Sequence, residues 1–342
     1  MSKISLRKKR KFLIVLLSLF LLLIAAMVVS VSVGSSEVGF WQSLRVLGHS
    51  IGLSDSPSPR VAEMIVLHIR LPRVILAALV GAALAVAGGI YQALIRNPLG
   101  DPYILGVSSG AVLGSVVGLI SGMAGNWLAT QIFAFMGAIV AIVVVYHVAK
   151  TGGRINTMKL ILAGVIVSAF FSGITMFLFS TASGSTITNI LFWMMGDLST
   201  QPLGTIWRIA PFVLGIMVLL YFLSGELNLV MVSEENALQL GVNVERVKKG
   251  AFVLASLLTG AVVSVSGAIG FIGLIVPNMV RLLWGADLRS HLPLTALSGA
   301  GFLVLSDTLA RLVLYPTELP VGVVTAAFGA PFFIYLLKQK VG

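Results

Sequence analysis

The chain has 342 residues, of which 58% are hydrophobic and only 10% are charged. Soluble globular domains carry about 25% charged residues, so the composition excludes an ordinary soluble protein. The absence of cysteine excludes disulfides, thiolate metal ligands and a cysteine nucleophile, while the formal charge of +11 has to be explained by where the charges lie.

The apolar residues form continuous runs without strand-like alternation, which predicts an all-α polytopic membrane protein. Hydropathy by itself supports eight or nine spans. If both termini lie on the same side of the membrane, the number of spans must be even, and ten spans fit the sequence. We predict one transmembrane domain over residues 1–342, with spans at about 12–33, 74–94, 106–122, 127–149, 158–180, 206–224, 251–265, 274–284, 292–311 and 323–337.

The positive charges are distributed as expected for a membrane protein. Six of them lie in residues 1–11, a basic tail that the positive-inside rule places in the cytoplasm. With both termini inside, ten spans put 17 of the 23 Lys and Arg residues on the cytoplasmic side. The excess charge is therefore explained by topology, and nucleic acid is not an expected partner.

The segment 34–60 is predicted to be an external loop, because its Ser-Pro-Ser-Pro run at 56–59 would break any helix inside a bilayer. Arg70 and Arg73 follow at the mouth of the second span, on the outer side and against the positive-inside trend. Either they reach toward lipid phosphates or they contact an extracytoplasmic partner.

Two prolines in 95–102 predict a tight cytoplasmic return before the third span. Glycines then recur every four residues, a spacing that keeps them on one slowly drifting helix face and lets a second helix approach closely. The predicted helix-packing residues are Gly106, Gly110, Gly114 and Gly118.

Two later segments predict interrupted helices. Residues 181–205 are polar except for 190–195, a pattern that indicates a short re-entrant helix lining a cavity. The glycine-rich run at 266–273 permits a sharp bend before the eighth span.

The segment 233–250, called the elbow below, holds six of the chain's charged residues between two apolar regions. Such a density of charge is too costly for the hydrocarbon, so the elbow should lie in the cytoplasm. It is either a solvated connection or a short helix over 234–240, stopped by Gly241, that contacts a cytoplasmic protein.

No catalytic, metal-binding or cofactor-binding residue is predicted. Residues 106–110 match G-x-S-x-G, but they open a membrane helix with no strand before it. The sequence contains no Gly-Lys dipeptide and hence no P-loop, so ATP would have to be bound by a partner subunit. The alternative from a different functional class is an ion-driven carrier, which needs a buried carboxylate that binds and releases the driving ion. The one acidic candidate within the predicted spans is Asp307, and Arg311 lies one turn away, where it can neutralise that carboxylate.

Taken together, these stretches resemble the FecCD family of ABC-transporter permeases over nearly the whole chain. The segments that carry the resemblance are Leu-Pro-Arg at 71–73, Asn-Pro-Leu-Gly-Asp-Pro at 97–102, Leu-Gly-Val-Ser-Ser-Gly at 105–110, Leu-Ala-Gly at 162–164, Gly-Ala-Ile-Gly-Phe-Ile-Gly-Leu-Ile-Val-Pro at 267–277, Glu-Leu-Pro-Val-Gly-Val-Val-Thr at 318–325 and Gly-Ala-Pro at 329–331. Asn278, where members often have His, and Gly100, where Ala is commoner, depart from the pattern.

The resemblance implies a type II ABC importer permease fold in a bacterial or archaeal cell membrane. It also implies a second permease subunit, identical or different, two cytoplasmic ABC ATPases and an extracytoplasmic binding protein. The implied substrate is a metal chelate, with an iron(III)-siderophore as the first candidate and cobalamin or haem as alternatives.

The resemblance also assigns roles to particular residues. It places coupling to the ATPase subunits in the elbow at Glu234, Glu235, Leu240 and Gly241. Docking of the binding protein falls to Arg70, Arg73 and Arg311, and a cytoplasmic gate falls to Asn97, Leu99 and Thr157.

Overall fold

A computed structural model describes residues 3–34, 38–50, 52, 59–123, 127–151, 154–182, 184–199, 201–314 and 317–341. The described helices are α1 (Lys3–Ser32), α2 (Phe40–Ser50), α3 (Arg60–Glu63), α4 (Leu71–Leu94), α5 (Val107–Gly118), α6 (Trp127–Ala149), α7 (Thr157–Thr181), α8 (Ser185–Met195), α9 (Leu203–Val232), α10 (Glu234–Gln239), α11 (Val244–Ser266), α12 (Ile272–Trp284), α13 (Leu288–Leu312) and α14 (Val321–Val341). Two π-helical segments, Met64–Arg70 and Leu119–Met123, precede α4 and follow α5.

The predicted membrane-helix fold is confirmed. Seven described helices are long and apolar enough to cross a bilayer, and four shorter apolar helices accompany them. Three of the shorter ones, α5, α12 and α14, coincide with predicted spans, and the fourth is the re-entrant helix α8. The strands in the described residues, β1 (Lys150–Thr151) and β2 (Arg154–Ile155), pair antiparallel in the turn before α7.

The second span begins earlier than its sequence indicated. Helical structure runs without interruption from Arg60 to Leu94, 35 residues, rather than starting near residue 74. The prediction began the span after Arg70 and Arg73 because charged groups are costly in hydrocarbon. In the structure both side chains are buried among internal partners, so the helix continues through them.

Helix α4 lies at the centre of the bundle and packs against α9, α11, α12 and α13. A helix that is apolar on all sides suits such a buried position. Close approach depends on glycine: a Cβ on Gly81 would overlap the backbone of Gly299 in α13, and one on Gly88 would overlap Gly273 in α12. The central helix is therefore held by backbone contacts that any larger side chain would prevent.

The glycines of the predicted stripe have two different neighbours. A Cβ on Gly110 or Gly114 would overlap backbone oxygens of α6, those of Gly137 and Phe133, and one on Gly118 would crowd Phe133. Gly106 instead faces α7 and adopts φ +82°, so it forms the left-handed turn that begins α5.

Helix interruptions meet inside the bundle. The bend predicted at 266–273 is present, with left-handed backbone at Gly267 (φ +67°) and at Phe271 (φ +69°). Gly267 lies against the backbone of Trp193 in α8, and Gly322 in α14 lies against Met195 at the end of α8. Irregular backbone at membrane depth is stable only where protein buries it or where it lines a cavity, and here the neighbouring helix ends bury it.

Candidate functional site

The outer arginines of the sequence prediction are buried and tie together the ends of three helices. Arg70, Arg73 and Arg311 are 4%, 7% and 2% exposed. Arg70 donates to the carbonyl oxygens of Val31 (3.2 Å) and Ser32 (3.3 Å), and Arg311 donates to the carbonyl of Ser30 (3.0 Å). These are the last carbonyls of α1, which lack partners within their own helix, so the two guanidinium groups cap that helix.

The same cluster contains two acids. Asp307 is fully buried between Arg73 (2.8 Å) and Arg311 (3.1 Å), which confirms the i,i+4 pair expected from the sequence. Glu318 pairs with Arg73 from the outer edge, and its side chain is 33% exposed. Three arginines against two acids leave an excess of one positive charge in the arginine cluster.

The structure thus places the predicted docking residues in internal contacts rather than on an exposed surface. Sequence reasoning did not foresee the contact with α1, because the arginines and the α1 carbonyls are separated by 38 residues or more. The available signal was that α1 has no basic residue in its last turn to interact with its final carbonyls.

The return loop at 95–106, called the gate loop below, carries two of the predicted gate residues. Asn97 Oδ1 accepts a hydrogen bond from the backbone N–H of Leu99 (2.9 Å), which closes a tight turn. Asn278 Nδ2 in α12 donates to the carbonyls of Pro98 (2.8 Å) and Leu274 (2.8 Å). Thr157 begins α7 and belongs to a different element.

Asn278 and Gln92 are residues to which the sequence analysis assigned no role. Gln92 Nε2 donates to the carbonyl of Gly273 (3.1 Å), while its Oε1 accepts from Arg281 (2.8 Å). The two amides therefore fasten α4, the gate loop and α12 to one another. Asn278 had attracted notice only as a departure from the family pattern.

A buried acid lies in the gate loop, between two spans. Asp101 is 6% exposed, and its Oδ1 accepts from the backbone N–H of Tyr103 (2.8 Å). Its other oxygen lacks a hydrogen-bond partner among the described residues and lies beside Gly273. Burial raises the pKa of Asp101 to about 6, since the ionised carboxylate loses its hydration.

The elbow contains the short helix predicted for it, α10, and divides its charged residues between two environments. Ser233 caps α10 by accepting from the N–H of Asn236 (3.2 Å), and Gly241 (φ +82°) turns the chain after it. Glu234 points inward to Lys248 (2.7 Å) and Arg96 (3.2 Å). Glu235 is exposed, as is Leu240 at 67%.

The inward contact links the elbow to the gate loop. Arg96, the residue before Asn97, pairs with Glu234 and also donates to the carbonyl of Val230 at the end of α9. A movement of α10 would therefore be transmitted to the turn that carries Asn97 and Leu99. The exposed part of α10 remains available for a protein contact.

A cavity of about 420 Å³ lies between the gate loop, α5, α7 and α8. On α7 its lining runs from Ser168 to Phe179, which is the second half of a helix that ends at Thr181. Leu191 and Met194 of α8 contribute to the apolar part of its wall.

Comparison with known proteins agrees with this architecture. The sequence pattern described as the FecCD transport family matches residues 22–339. The cobalamin import system permease protein of Halobacterium salinarum is 44% identical over 82% of this chain and 75% of its own length. The Fe(3+)-citrate import system permease protein of Bacillus subtilis is 39% identical over 91% of this chain and 90% of its own.

A solved structure has the same fold. A metal-chelate type ABC transporter in an inward-facing conformation superposes with a TM-score of 0.82 at 31% identity, covering 95% of this chain and 98% of the solved one. The likeness extends over nearly the whole of both chains.

Proposed function

The chain belongs to the FecCD transport family, and we propose on that premise that it is the permease subunit of an ATP-driven importer of a metal chelate. An iron(III)-siderophore is the first candidate substrate, with cobalamin and haem as alternatives. In this family the ATPase is a separate subunit, in keeping with a sequence that has no P-loop. The proposal places both termini and the elbow in the cytoplasm.

The observation that carries the proposal is the link between Glu234 in the elbow and Arg96 in the gate loop. ATP binding closes the two ATPase subunits, and the exposed face of α10 follows them. Because Glu234 also holds Lys248 at the start of α11, the movement reaches both the gate loop and a span. The bundle would then alternate between outward and inward access.

The binding protein is proposed to dock on the outer side near the arginine cluster. The cluster's excess positive charge favours an acidic surface on the partner, and Glu318 is its accessible acid. Since the three guanidinium groups already have internal partners, docking by direct contact requires one of them to exchange an internal oxygen for a carboxylate of the binding protein.

Uptake by the reconstituted complex tests the function. The permease, its ATPase subunits and its binding protein are placed in proteoliposomes, and accumulation of the radiolabelled chelate retained by that binding protein is followed. We expect uptake with ATP and none with a non-hydrolysable analogue, whether or not an uncoupler is present. Uptake that continues without ATP and stops with an uncoupler would reject this function and favour the ion-driven carrier.

A further inference from the structure

A groove of about 330 Å³ lies between α6, α9 and α11, on the side of the bundle. Its floor consists of buried residues of α11, Ala261, Ser264 and Val265. Its sides include residues of α6 that are exposed at the surface of the bundle, Ile132 at 55% and Met136 at 52%. The groove is therefore open to whatever surrounds these spans, which in a membrane is lipid. We call it the side groove.

The polar residues of the side groove lie at one end of it. Gln131 is the fifth residue of α6, Arg208 is the sixth of α9, and Ser264 is the third from the end of α11. Gln131 donates to Gln201 (2.7 Å), two residues before α9 begins, so the starts of α6 and α9 lie side by side. At 1.5 Å per residue, these polar groups lie within roughly 8 Å of the helix ends, at the level of the lipid headgroups.

Toward the middle of the bundle the side groove is lined by apolar groups and then closes. Phe135 of α6 and Phe212 of α9 meet edge to face, with their ring centroids 6.1 Å apart. Three residues further along α6, Ala138 meets α11 closely, since a Cβ on Gly260 would lie 2.8 Å from its side chain. The side groove therefore runs from a polar end at the helix termini to a closed apolar end roughly 10 Å deeper.

Arg208 is the one charged residue in the described lining of the side groove. Its guanidinium donates to the carbonyl of Gly204 (3.1 Å) and to the hydroxyl of Thr205 (3.3 Å), both one turn nearer to the start of α9. The side chain is thus directed toward the membrane surface. Among the described residues Arg208 forms no ion pair, and a guanidinium has five N–H donors, so it retains donors for an anion.

A phospholipid has the same arrangement of chemical groups as the side groove. Its phosphate would accept hydrogen bonds from Arg208, a pairing that suits the geometry of a guanidinium. One acyl chain would lie along Met136 and the two phenylalanine rings. A zwitterionic headgroup would bring its own cation near Arg208, whereas an anionic headgroup would not, so charge complementarity favours an anionic lipid. The neighbouring Trp207, 69% exposed, is of a type enriched at membrane interfaces.

We propose that the side groove binds an anionic phospholipid, with its phosphate on Arg208 and one acyl chain between α6 and α9. With both termini in the cytoplasm, as proposed above, this lipid belongs to the outer leaflet. The inference goes beyond the transport function and is the same for whichever chelate is carried.

A fluorophore placed in the groove tests the proposal, because the chain has no cysteine of its own. Met136→Cys carries a bimane label at the apolar end, and Leu219→Cys carries it on α9 outside the groove, where Leu219 is 54% exposed. The permease is reconstituted with cysteine-free ATPase subunits in phosphatidylcholine that contains rising fractions of brominated-chain phosphatidylglycerol or brominated-chain phosphatidylcholine.

Quenching of the label by bromine reports an acyl chain beside it. At position 136 we expect half-maximal quenching at an about fivefold lower fraction of phosphatidylglycerol than of brominated phosphatidylcholine, the effect of one basic residue near a membrane surface. At position 219 the two lipids should quench alike. Arg208→Gln should remove the preference at position 136. Arg45→Gln is the matched control, since Arg45 is exposed on α2 and lies outside the groove, and it should leave the preference unchanged.

The melting temperature provides a measurement without a label. Added phosphatidylglycerol should raise the melting temperature of the unlabelled permease–ATPase complex in detergent more than phosphatidylcholine does. Arg208→Gln should reduce that difference, and Arg45→Gln should not.

Equal quenching by the two lipids at position 136 would overturn the proposal. So would a preference at position 219 as large as that at position 136, or a preference and a melting difference that both survive Arg208→Gln. The proposed function fails by a different result, the absence of ATP-dependent uptake of any chelate in proteoliposomes, which leaves lipid binding in the side groove unaffected.

Discussion

Replacing Glu234 by Gln should uncouple ATP hydrolysis from transport without releasing the ATPase. The carboxylate joins the elbow to Lys248 of α11 and to Arg96 of the gate loop. The side chains of Arg96 and Glu234 are 43% and 38% exposed, so their pair contributes about 0.2–1 kcal/mol. Lys248, only 5% exposed, makes a charge-assisted hydrogen bond worth about 1.5–3 kcal/mol.

The weaker contact is the ion pair that joins the elbow to the gate loop. Losing about 1 kcal/mol there changes the ratio of linked to unlinked molecules about fivefold. Chelate uptake per ATP hydrolysed should therefore fall by up to about fivefold in proteoliposomes. Co-purification of the ATPase should be unchanged, because Glu235 and Leu240 still present the exposed surface.

Glu226→Gln is the control, since it removes the same charge from an exposed position on α9 that belongs neither to the elbow nor to the gate loop. Arg96→Ala should reproduce the loss of coupling, and combining it with Glu234→Gln should add nothing further to that loss. Equal coupling defects in Glu234→Gln and Glu226→Gln, or additive effects of Arg96→Ala and Glu234→Gln, would refute the link.

Three further changes test the arginine cluster and the gate loop. Asp307→Asn leaves two buried guanidinium groups short of an anion, at a cost of about 3–5 kcal/mol, and should lower the melting temperature in detergent by several degrees. Glu318→Gln raises the cluster's net charge from one to two and should speed association with the binding protein several-fold at low salt, measured by surface capture. The pKa of Asp101 is raised from 3.8 to about 6 in the folded protein. The contribution of this side chain to stability is therefore complete below pH 4 and is lost as pH rises through 6. Asp101→Asn should remove up to about 3 kcal/mol of this pH dependence of stability, measured in melting experiments.

Each of these changes has its own comparison. Glu318→Gln should destabilise less than Asp307→Asn, because its carboxylate is one-third exposed, and equal melting shifts would contradict the burial argument. For docking, Glu63→Gln removes an exposed acid that is not part of the cluster, and an equal increase in association rate would show a general charge effect. A pH profile for Asp101→Asn that equals that of the unaltered protein would exclude Asp101 as the titrating group.

Much of the fold was predictable because each membrane helix has to satisfy its own backbone. Ten apolar runs, the bend at 266–273 and the re-entrant segment near 190–195 all correspond to observed elements. The start of the second span was misplaced, since local composition treats Arg70 and Arg73 as if they faced lipid. Their partners lie far along the chain, on α1 and α13, and no local pattern indicates them.

The sequence by itself determined the membrane class, the family and the position of the elbow, because hydrophobicity and family motifs are properties of contiguous residues. Tertiary structure decided which way neighbouring side chains face: Glu234 toward Arg96 and Glu235 toward solvent, although the two are adjacent. It also brought Tyr103, Ser108 and Thr175 around one cavity. Such groupings depend on how helices distant in sequence pack, and packing is set by the whole bundle rather than by any one segment.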